Sequence, residues 1–411
     1  MSRFLDVFLH ARRVGQLEQD HSGNLWFQYS SEWLTDENAI PLSVSLPLQN
    51  ERFNRARCRP FFAGLLPESA QRQQIARVLA ISEGNDFALL DKIGGECAGA
   101  VTFLPPSAPL PDTSSWAFLP LTERDLDERI SELPKRPLLS GEKGLRLSLA
   151  GAQSKMALTI RPEGYAIPLH GAPSSHILKP QSPLFDHLVE NELFCMELAR
   201  AAGLNVARVS LGKTQRNTFL QVERYDRLAE KDGSLKRLHQ EDFCQALGIA
   251  PERKYQEEGG PNLRQCFDLV RSQCSVPAVD LIRLLDAVFF NCLIGNGDAH
   301  GKNFSLLYID NQVRIAPLYD LVCTHAYPEL DPRFAMKIGN ARDPSTIRAG
   351  DFEALARDAN LNPKAAMRRM FALLKKTEQL LNERPALSVQ AQVVRCIRKN
   401  MAWMRSCLPT A

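Results

Sequence analysis

The stretch Val288 to Asp320, VFFNCLIGNGDAHGKNFSLLYIDNQVRIAPLYD, constrains the chain most. It opens on an apolar helical pattern through Leu284, Leu285, Val288, Phe289, Cys292 and Leu293. The pattern stops at Gly295-Asn296-Gly297, where glycine permits a sharp turn. A short polar loop follows with Asp298, His300 and Asn303. Phe304 to Ile309 and Val313 to Ala316 then read as two strands around an Asp310-Asn311 turn, and Asp320 lies beyond them.

This order of residues suits phosphoryl transfer. Such a site needs one carboxylate to orient the attacking hydroxyl and take its proton, and an Asn and a second Asp to hold magnesium against the phosphates. In a protein-kinase catalytic loop the base and the Asn lie five positions apart. Asp298 and Asn303 have that spacing, and the hairpin brings Asp320 back toward the same cleft. Against this stands the plain alternative that Asp298 caps a turn and Asp320 begins a loop.

The chain has 411 residues, enough for two or three domains with a sizeable core. With 44% hydrophobic and 24% charged residues it has the composition of a soluble globular protein, and a net charge of +3 points to neither nucleic acid nor membrane. Asp6 and His10 interrupt the apolar N-terminal run, which does not read as a signal peptide. No apolar stretch is long enough to span a bilayer. The ten cysteines contain no CxxC pair, which argues against a zinc ribbon or redox motif and for reduced thiols in the cytoplasm.

Three domains are expected: residues 1–110, 111–226 and 227–411. In the first, Phe4 to His10, Leu25 to Tyr29, Leu42 to Leu48 and Ala100 to Leu104 read as strands, with helices from Ser69 and from Asn85. Proline-rich residues 105 to 120 read as a linker, and Thr122 as a helix start. In the second, strands at Leu145 to Leu149 and Met156 to Ile160 flank Ala150-Gly151-Ala152-Gln153-Ser154-Lys155. Small residues there let the backbone close over phosphates, though on these residues alone an ordinary hairpin loop is the stronger reading. Lys179 ends the strand His176 to Pro180 and stands where a kinase keeps its phosphate lysine. The helix Phe185 to Ala202 stops at Gly203, and its Glu192, more than Glu190, is the expected partner of Lys179. After strands Ala207 to Leu211 and Phe219 to Val222, Glu223-Arg224-Tyr225 stands where an interlobe hinge would present backbone groups to adenine.

From Leu238 the pattern turns helical: Gln240 to Leu247, Leu263 to Ser272, Val279 to Ile294, Asp351 to Ala359, Lys364 to Asn382 and Val389 to Met404. Residues 364 to 405 carry ten Lys or Arg against two Glu, a face suited to phosphates, to an acidic partner or simply to solvent.

These motifs together resemble the HipA-type serine/threonine kinases, the toxin halves of bacterial toxin–antitoxin pairs. The resemblance is carried by Phe62-Ala-Gly-Leu-Leu-Pro-Glu68, Ile93-Gly-Gly-Glu-Cys-Ala-Gly-Ala100, Ser148 to Lys155, His176 to Lys179, Asn191-Glu192 and Val222 to Arg227. It continues through Gln240-Glu-Asp242, Lys254-Tyr255 with Gly259-Gly260-Pro261, Gly297 to Asn303 and Pro317-Leu-Tyr-Asp320. The motifs run in the family's order over nearly the whole chain.

The resemblance implies an α+β, two-lobed protein-kinase-like fold: a mixed α/β N-terminal lobe with an extra N-terminal subdomain, and an all-helical C-terminal lobe. It implies ATP and Mg2+ as cofactors and Asp298 as catalytic base, with Asn303 and Asp320 on the metal. Ala150 to Lys155, Lys179, Glu223, Arg224, Tyr225, His300, Lys302 and Tyr319 are the implied nucleotide-binding positions. Ser148 matches the serine that such kinases phosphorylate on themselves; a dianion there would repel the nucleotide phosphates. Ser154 stands where well-known members often carry an acidic residue. The implied partners are a protein substrate, in known cases an aminoacyl-tRNA synthetase, and a helix-turn-helix, HipB-like antitoxin through which any DNA contact would be made. A small-molecule kinase shares the Gly-Asp-x-His-x-x-Asn loop but lacks the first 110 residues and the Ser148 segment. A silent kinase-like scaffold and a metal hydrolase leave the catalytic residue types, or the lysine and hinge, without work.

Overall fold

A computed structural model of the chain describes residues 2–111, 114–231, 233–383 and 391–408. Two units emerge from the chain's own contacts. The first takes the chain up to Pro180 with Gly212–Pro251 and Leu307–Ile309, and the second takes Gln181–Leu211, Glu252–Leu306 and the chain from Asp310 onward.

The first unit begins with an antiparallel sheet in the order Leu25–Tyr29, Arg12–Gln19, Arg3–Leu9, Val101–Leu104. Leu5, Val7 and Leu9 alternate onto its buried side with Leu17 and Phe27. Phe27, Phe62 and Phe103 pack edge to face against this sheet, with centroids 5.3 Å apart for Phe27–Phe62 and 5.8 Å for Phe62–Phe103. A six-stranded sheet follows in the order Ala117–Pro120, Gly164–Leu169, Met156–Arg161, His176–Pro180, Thr218–Glu223, Val209–Lys213. Its core is Met156, Leu158, Ile167, Leu178 and Phe219 against Leu126 and Ile130 of the helix Glu123–Glu132.

The second unit centres on the helix Pro277–Ile294, apolar almost all round and correspondingly buried. Leu188–Ala202, Leu263–Gln273, Ala349–Asp358, Pro363–Glu383 and Ala391–Cys407 are further helices of this unit, with Phe289 meeting Phe352 at 5.7 Å between ring centroids. Strands Ser305–Ile309 and Gln312–Ile315 are joined by Asp310-Asn311, both with positive φ (45° and 63°), the two-residue turn that suits a hairpin's twist. Among the described residues no helix is long and apolar enough to cross a membrane.

Four expected elements differ. The stretch 105 to 120 is not linker throughout: Ala117–Pro120 is a strand paired antiparallel with Gly164–Leu169. Leu145 to Leu149 is not a strand: Leu147 forms one isolated bridge with Glu96, and the Ser148 side chain turns away to Leu65 O. Leu42 to Leu48 is a turn between Pro41 and Pro47, where the Tyr29 hydroxyl donates to Leu46 O and accepts from Leu42 N in place of a ladder. Gln240 to Leu247 is not one helix. His239–Asp242 is a strand, and a short helix Phe243–Ala246 starts only after Asp242, which with Gln245 forms a capping box. The helix Arg55–Gly64, capped by Asn54, was hidden by its interior Pro60. Val389, the expected start of the last helix, and Arg384 of the basic set lie outside the described residues.

Candidate active site

The loop carrying Asp298 is held almost entirely through backbone and buried polar groups. Gly295 ends the long helix in the left-handed region at φ 69°, and a Cβ there would stand 2.4 Å from Asn400 Nδ2. Thr324 Oγ1 donates to Gly295 O at 3.0 Å and accepts from Gly297 N at 2.7 Å. The buried Asn296 donates to Asn291 Oδ1 at 2.7 Å, while its own Oδ1 accepts from Asp298 N at 3.1 Å. This Asx turn presents Asp298, which is exposed. Its Oδ1 accepts from the Tyr255 hydroxyl at 2.5 Å. Beyond it, the His300 amide donates to Asp298 O at 2.8 Å and to Asn303 Oδ1 at 3.2 Å. Asn303 is thereby fixed, half-buried, with a second lone pair on Oδ1 left for a cation.

Asp320 is half-buried at φ 55°, a left-handed conformation that a non-glycine residue adopts at some cost. Its carbonyl accepts from Asn296 Nδ2 at 3.4 Å, which ties it to the Asp298 loop. Tyr319 donates to Lys302 O at 2.6 Å and meets Ser305 Oγ at 2.8 Å, so Lys302 and Tyr319 are neighbours. Thus Asp298, His300, Lys302, Asn303, Tyr319 and Asp320 all belong to one connected group in the second unit. Among the described residues no three His, Cys, Asp or Glu side chains cluster as a metal cage. Magnesium does not need one, because it binds through one or two carboxylates together with phosphates and water. Asn303 and Asp320 fit that donor set.

In the first unit, residues 150–155 form a closed loop. Lys155 Nζ donates to Ala150 O at 2.6 Å, and a Cβ on Gly151 (φ 104°) would stand 2.6 Å from Nζ. Ala152 at the tip is exposed, and Gln153 is half-buried. The loop is docked by Gly151 O, which accepts from Glu68 N at 3.3 Å. Ser154 Oγ is buried without a hydrogen-bond partner among the described residues, an orphan that a phosphate oxygen would satisfy. Ser148 is 0% exposed. Its Oγ donates to Leu65 O and its amide to Glu96 O, both at 2.8 Å. Lys179 is buried on its strand, opposite Leu220. Glu192, its expected partner, is buried on the helix Leu188–Ala202 in the other unit.

The segment expected to act as the hinge carries a second structure that composition does not reveal. Glu223 is exposed, and Tyr225 donates through its hydroxyl to Gln240 Oε1. Arg224 is buried, its amide donating to Ser175 O at 2.9 Å. Its guanidinium grips Asp226 at 3.0 and 2.8 Å, Ser174 Oγ at 2.9 Å and Cys97 O at 3.1 Å. Arg227 joins Glu96 at 2.9 Å, and Arg237 donates to Val101 O at 2.7 Å. Burial works against every charge here. The arginines nonetheless hold the Asp226 carboxyl well below its usual range, and Asp226 and Glu96 hold the Arg224 guanidinium above its own. The Arg224 side chain is therefore a strut between the hinge and the Glu96 segment.

In the sequence Tyr255 and Asn191 stand in family motifs with no role attached, Asn296 stands only as part of a turn, and Thr324 has no local signal. Asn296 was legible, since an Asn two residues before a key residue is an Asx-turn signal. Tyr255 reaches Asp298 across 43 residues, and nothing local announces it.

Comparison with known proteins now bears on this geometry. A family model described as "HipA-like C-terminal domain" matches residues 147–381, and one described as "HipA N-terminal domain" matches residues 5–104. The chain belongs to the HipA family. A protein of Sinorhizobium fredii named putative kinase Y4mE is 48% identical over 383 residues, covering 92% of this chain and 90% of that one. The serine/threonine-protein kinase toxin HipA of Shewanella oneidensis is 32% identical over 358 residues, covering 84% and 81% of the two chains. The Shewanella HipA solved with HipB and operator DNA superposes with a TM-score of 0.82 at 29% identity, over 97% of this chain and 96% of that one. The fold is thus the HipA fold, and kinase is the activity named for the relatives.

Proposed function

We propose that this chain is an ATP- and magnesium-dependent serine/threonine protein kinase, the toxin of a HipBA-like toxin–antitoxin module. The observation that carries the reading is the exposed Asp298 carboxylate, presented by a buried Asn296 turn five residues before a fixed Asn303. In this reading Asp298 accepts the proton of the substrate hydroxyl as the hydroxyl oxygen bonds to the γ-phosphorus and the bond from that phosphorus to the β–γ bridging oxygen breaks, releasing ADP. Asn303 and Asp320 hold magnesium, which when bound offsets the phosphate charge. Residues 150–155 and Lys179 hold the phosphates, with the orphaned Ser154 hydroxyl as a donor. Glu223 and Tyr225 flank the adenine, while Arg224 serves through the rigidity it gives that segment. His300, Lys302 and Tyr319 complete the nucleotide side.

The partner proposed is a helix-turn-helix antitoxin, by analogy with the Shewanella HipA solved with HipB and operator DNA. DNA is reached through that partner. The substrate is a protein, with an aminoacyl-tRNA synthetase as the class the family suggests, and Ser148 is the self-modified residue. A cytoplasmic location suits an ATP-dependent enzyme with ten unpaired cysteines.

The test is incubation of purified protein with magnesium and labelled ATP, alone and with a bacterial lysate, beside Asp298→Asn. Label on Ser148 and on a discrete lysate protein, both lost in the variant, is the expected result. Equal labelling by the variant removes Asp298 from the chemistry.

A further inference from the structure

The Asp298 carboxylate is held from a distant part of the chain, and the means of holding is built into the backbone. Tyr255 donates its phenolic hydroxyl to Asp298 Oδ1 at 2.5 Å, within the range of charge-assisted O–H···O⁻ bonds. Its ring meets the His300 imidazole edge to face, centroids 5.2 Å apart at 79°. Lys254 Nζ lies 5.5 Å over the same ring. The phenol therefore has little freedom to turn away from the carboxylate.

The two loops share one fastening. Ala335, 2% exposed, accepts from Gln256 N at 3.1 Å through its carbonyl and donates to Gly297 O at 2.9 Å through its amide. One buried peptide unit on each side of Ala335 thus fixes the neighbour of Tyr255 and the neighbour of Asp298. Gln256 Oε1 also accepts from Lys337 N at 2.8 Å. The Tyr255 carbonyl accepts from Glu258 N at 3.0 Å and Gly260 N at 2.8 Å, which closes its own loop into a tight turn. That turn needs its glycines: Gly259 has φ 92°, and a Cβ on Gly260 would stand 2.5 Å from Arg253 O. Lys254-Tyr255 and Gly259-Gly260-Pro261, which in the sequence stand only as motifs of the resemblance, thereby acquire a purpose.

We propose that Tyr255 is the positioning residue of the Asp298 base. It occupies Oδ1, fixes the carboxylate plane and leaves Oδ2 for the substrate hydroxyl. This role rests on the kinase reading of the site. Orientation of a reacting group to within a fraction of an ångström is a large part of what a site with no covalent step can supply.

The experiment compares wild type, Tyr255→Phe, Asp298→Asn and the double variant in phosphoryl transfer from magnesium ATP, with melting temperatures alongside. Tyr255→Phe keeps the ring on His300 and removes only the hydroxyl. Its kcat is expected to fall about tenfold or more, the effect of one hydrogen bond to a charged group. Its KM for ATP and its melting temperature are expected to stay at the wild-type values. In the Asp298→Asn background the same change is expected to have no further effect on the residual rate, because Tyr255 acts through Asp298. Unchanged kcat, additive losses in the double variant, or a faster Tyr255→Phe enzyme each overturn the role. The last result would mean that the phenol obstructs the substrate hydroxyl. No transfer by the wild type would instead overturn the kinase reading itself, and the role with it.

Discussion

Asn191 clasps the Cys323 peptide with both ends of its side-chain amide: Nδ2 donates to Cys323 O at 3.0 Å and Oδ1 accepts from Cys323 N at 2.9 Å. Cys323 lies three residues after Asp320. The helix Leu188–Ala202 therefore fixes the chain immediately downstream of a proposed magnesium ligand. Nδ2 reaches Tyr327 Oη as well, at 3.3 Å, and that hydroxyl donates to Asp186 O at 3.1 Å.

Asn191→Ala leaves the buried Cys323 N–H without its partner and the Cys323 carbonyl with only the Ala326 amide at 3.2 Å, a loss of about 1–3 kcal/mol where solvent cannot enter. The expected outcome is a lower melting temperature together with a raised magnesium requirement for turnover, because the chain just after Asp320 loses its anchor to the helix. A magnesium titration of the ATP turnover rate checks it. A variant that loses stability but keeps the wild-type magnesium dependence would confine Asn191 to a structural role.

Arg224 lends itself to a test that separates two kinds of work. Its guanidinium is enclosed by Asp226, Ser174 and Cys97, with Glu96 at 3.5 Å. Removing one member of such a buried set strands the others, at a cost of about 3–5 kcal/mol. Arg224→Ala is thus expected to lose most of its stability by urea denaturation, with Arg224→Lys only partly restoring it, since an ammonium cannot reproduce the planar fork. Normal stability with weakened ATP binding would place the side chain in the adenine pocket instead.

The parts of the molecule that sequence made legible are those specified locally. Gly203 and Gly295 end their helices as C-caps, Thr122 and Asn85 begin theirs as N-caps, and Asp310-Asn311 makes its hairpin. The Asp298, Asn303, Asp320 order was legible because one loop and one hairpin carry it. What stayed hidden is held by long-range polar contacts. Leu147 looked like a strand residue because apolar alternation does not reveal that it makes one isolated bridge, to Glu96, rather than a ladder. The strut that Arg224 makes stayed hidden because the Glu96 carboxylate and the Ser174 hydroxyl come from distant segments.

A pair of buried titrating groups gives the first unit a pH dependence of opposing signs. Glu241 accepts from Ser43 Oγ at 2.5 Å, Val44 N at 3.0 Å and Tyr308 Oη at 2.6 Å. Burial pushes its carboxyl up to about 7, and the neighbouring Asp242 charge adds to this. His239 is buried with Nε2 at 3.0 Å from Leu42 O, and burial pushes its imidazole down to about 3.

Between its ordinary 4.5 and about 7, the folded chain holds a proton on Glu241 that the unfolded chain has lost, so this group's contribution to stability falls as pH rises through that window. For His239 the unfolded chain takes up the proton, so its contribution falls as pH drops from 6.5 toward about 3. Glu241→Gln is expected to gain roughly 3 kcal/mol relative to wild type on going from pH 5 to pH 8, measured as the shift in urea midpoint. A pH-independent difference between the two proteins would mean that Glu241 is ionised in the folded state throughout.

Ser148 presents a conflict between its proposed modification and its position. Its hydroxyl is fully buried against Leu65 O, and its amide is paired with Glu96 O, so no phosphoryl donor reaches it in this conformation. Modification requires the segment to leave, breaking the Leu147–Glu96 bridge and, beyond it, the Gly151–Pro67 bridge. Once phosphorylated, the side chain is a dianion that would face the carbonyl oxygen of Leu65, an acceptor, and it cannot return without desolvation and repulsion. Ser148→Asp is therefore expected to hold the segment out. Trypsin should cleave it faster at Arg146 and Lys155, and ATP should bind more weakly. Ser148→Ala, which leaves only one carbonyl without its donor at a cost of about 1 kcal/mol, should keep the wild-type cleavage pattern. If the two variants are cleaved alike, a charge at position 148 does not expel the loop, and self-phosphorylation there would have to act by some means other than removing the phosphate site.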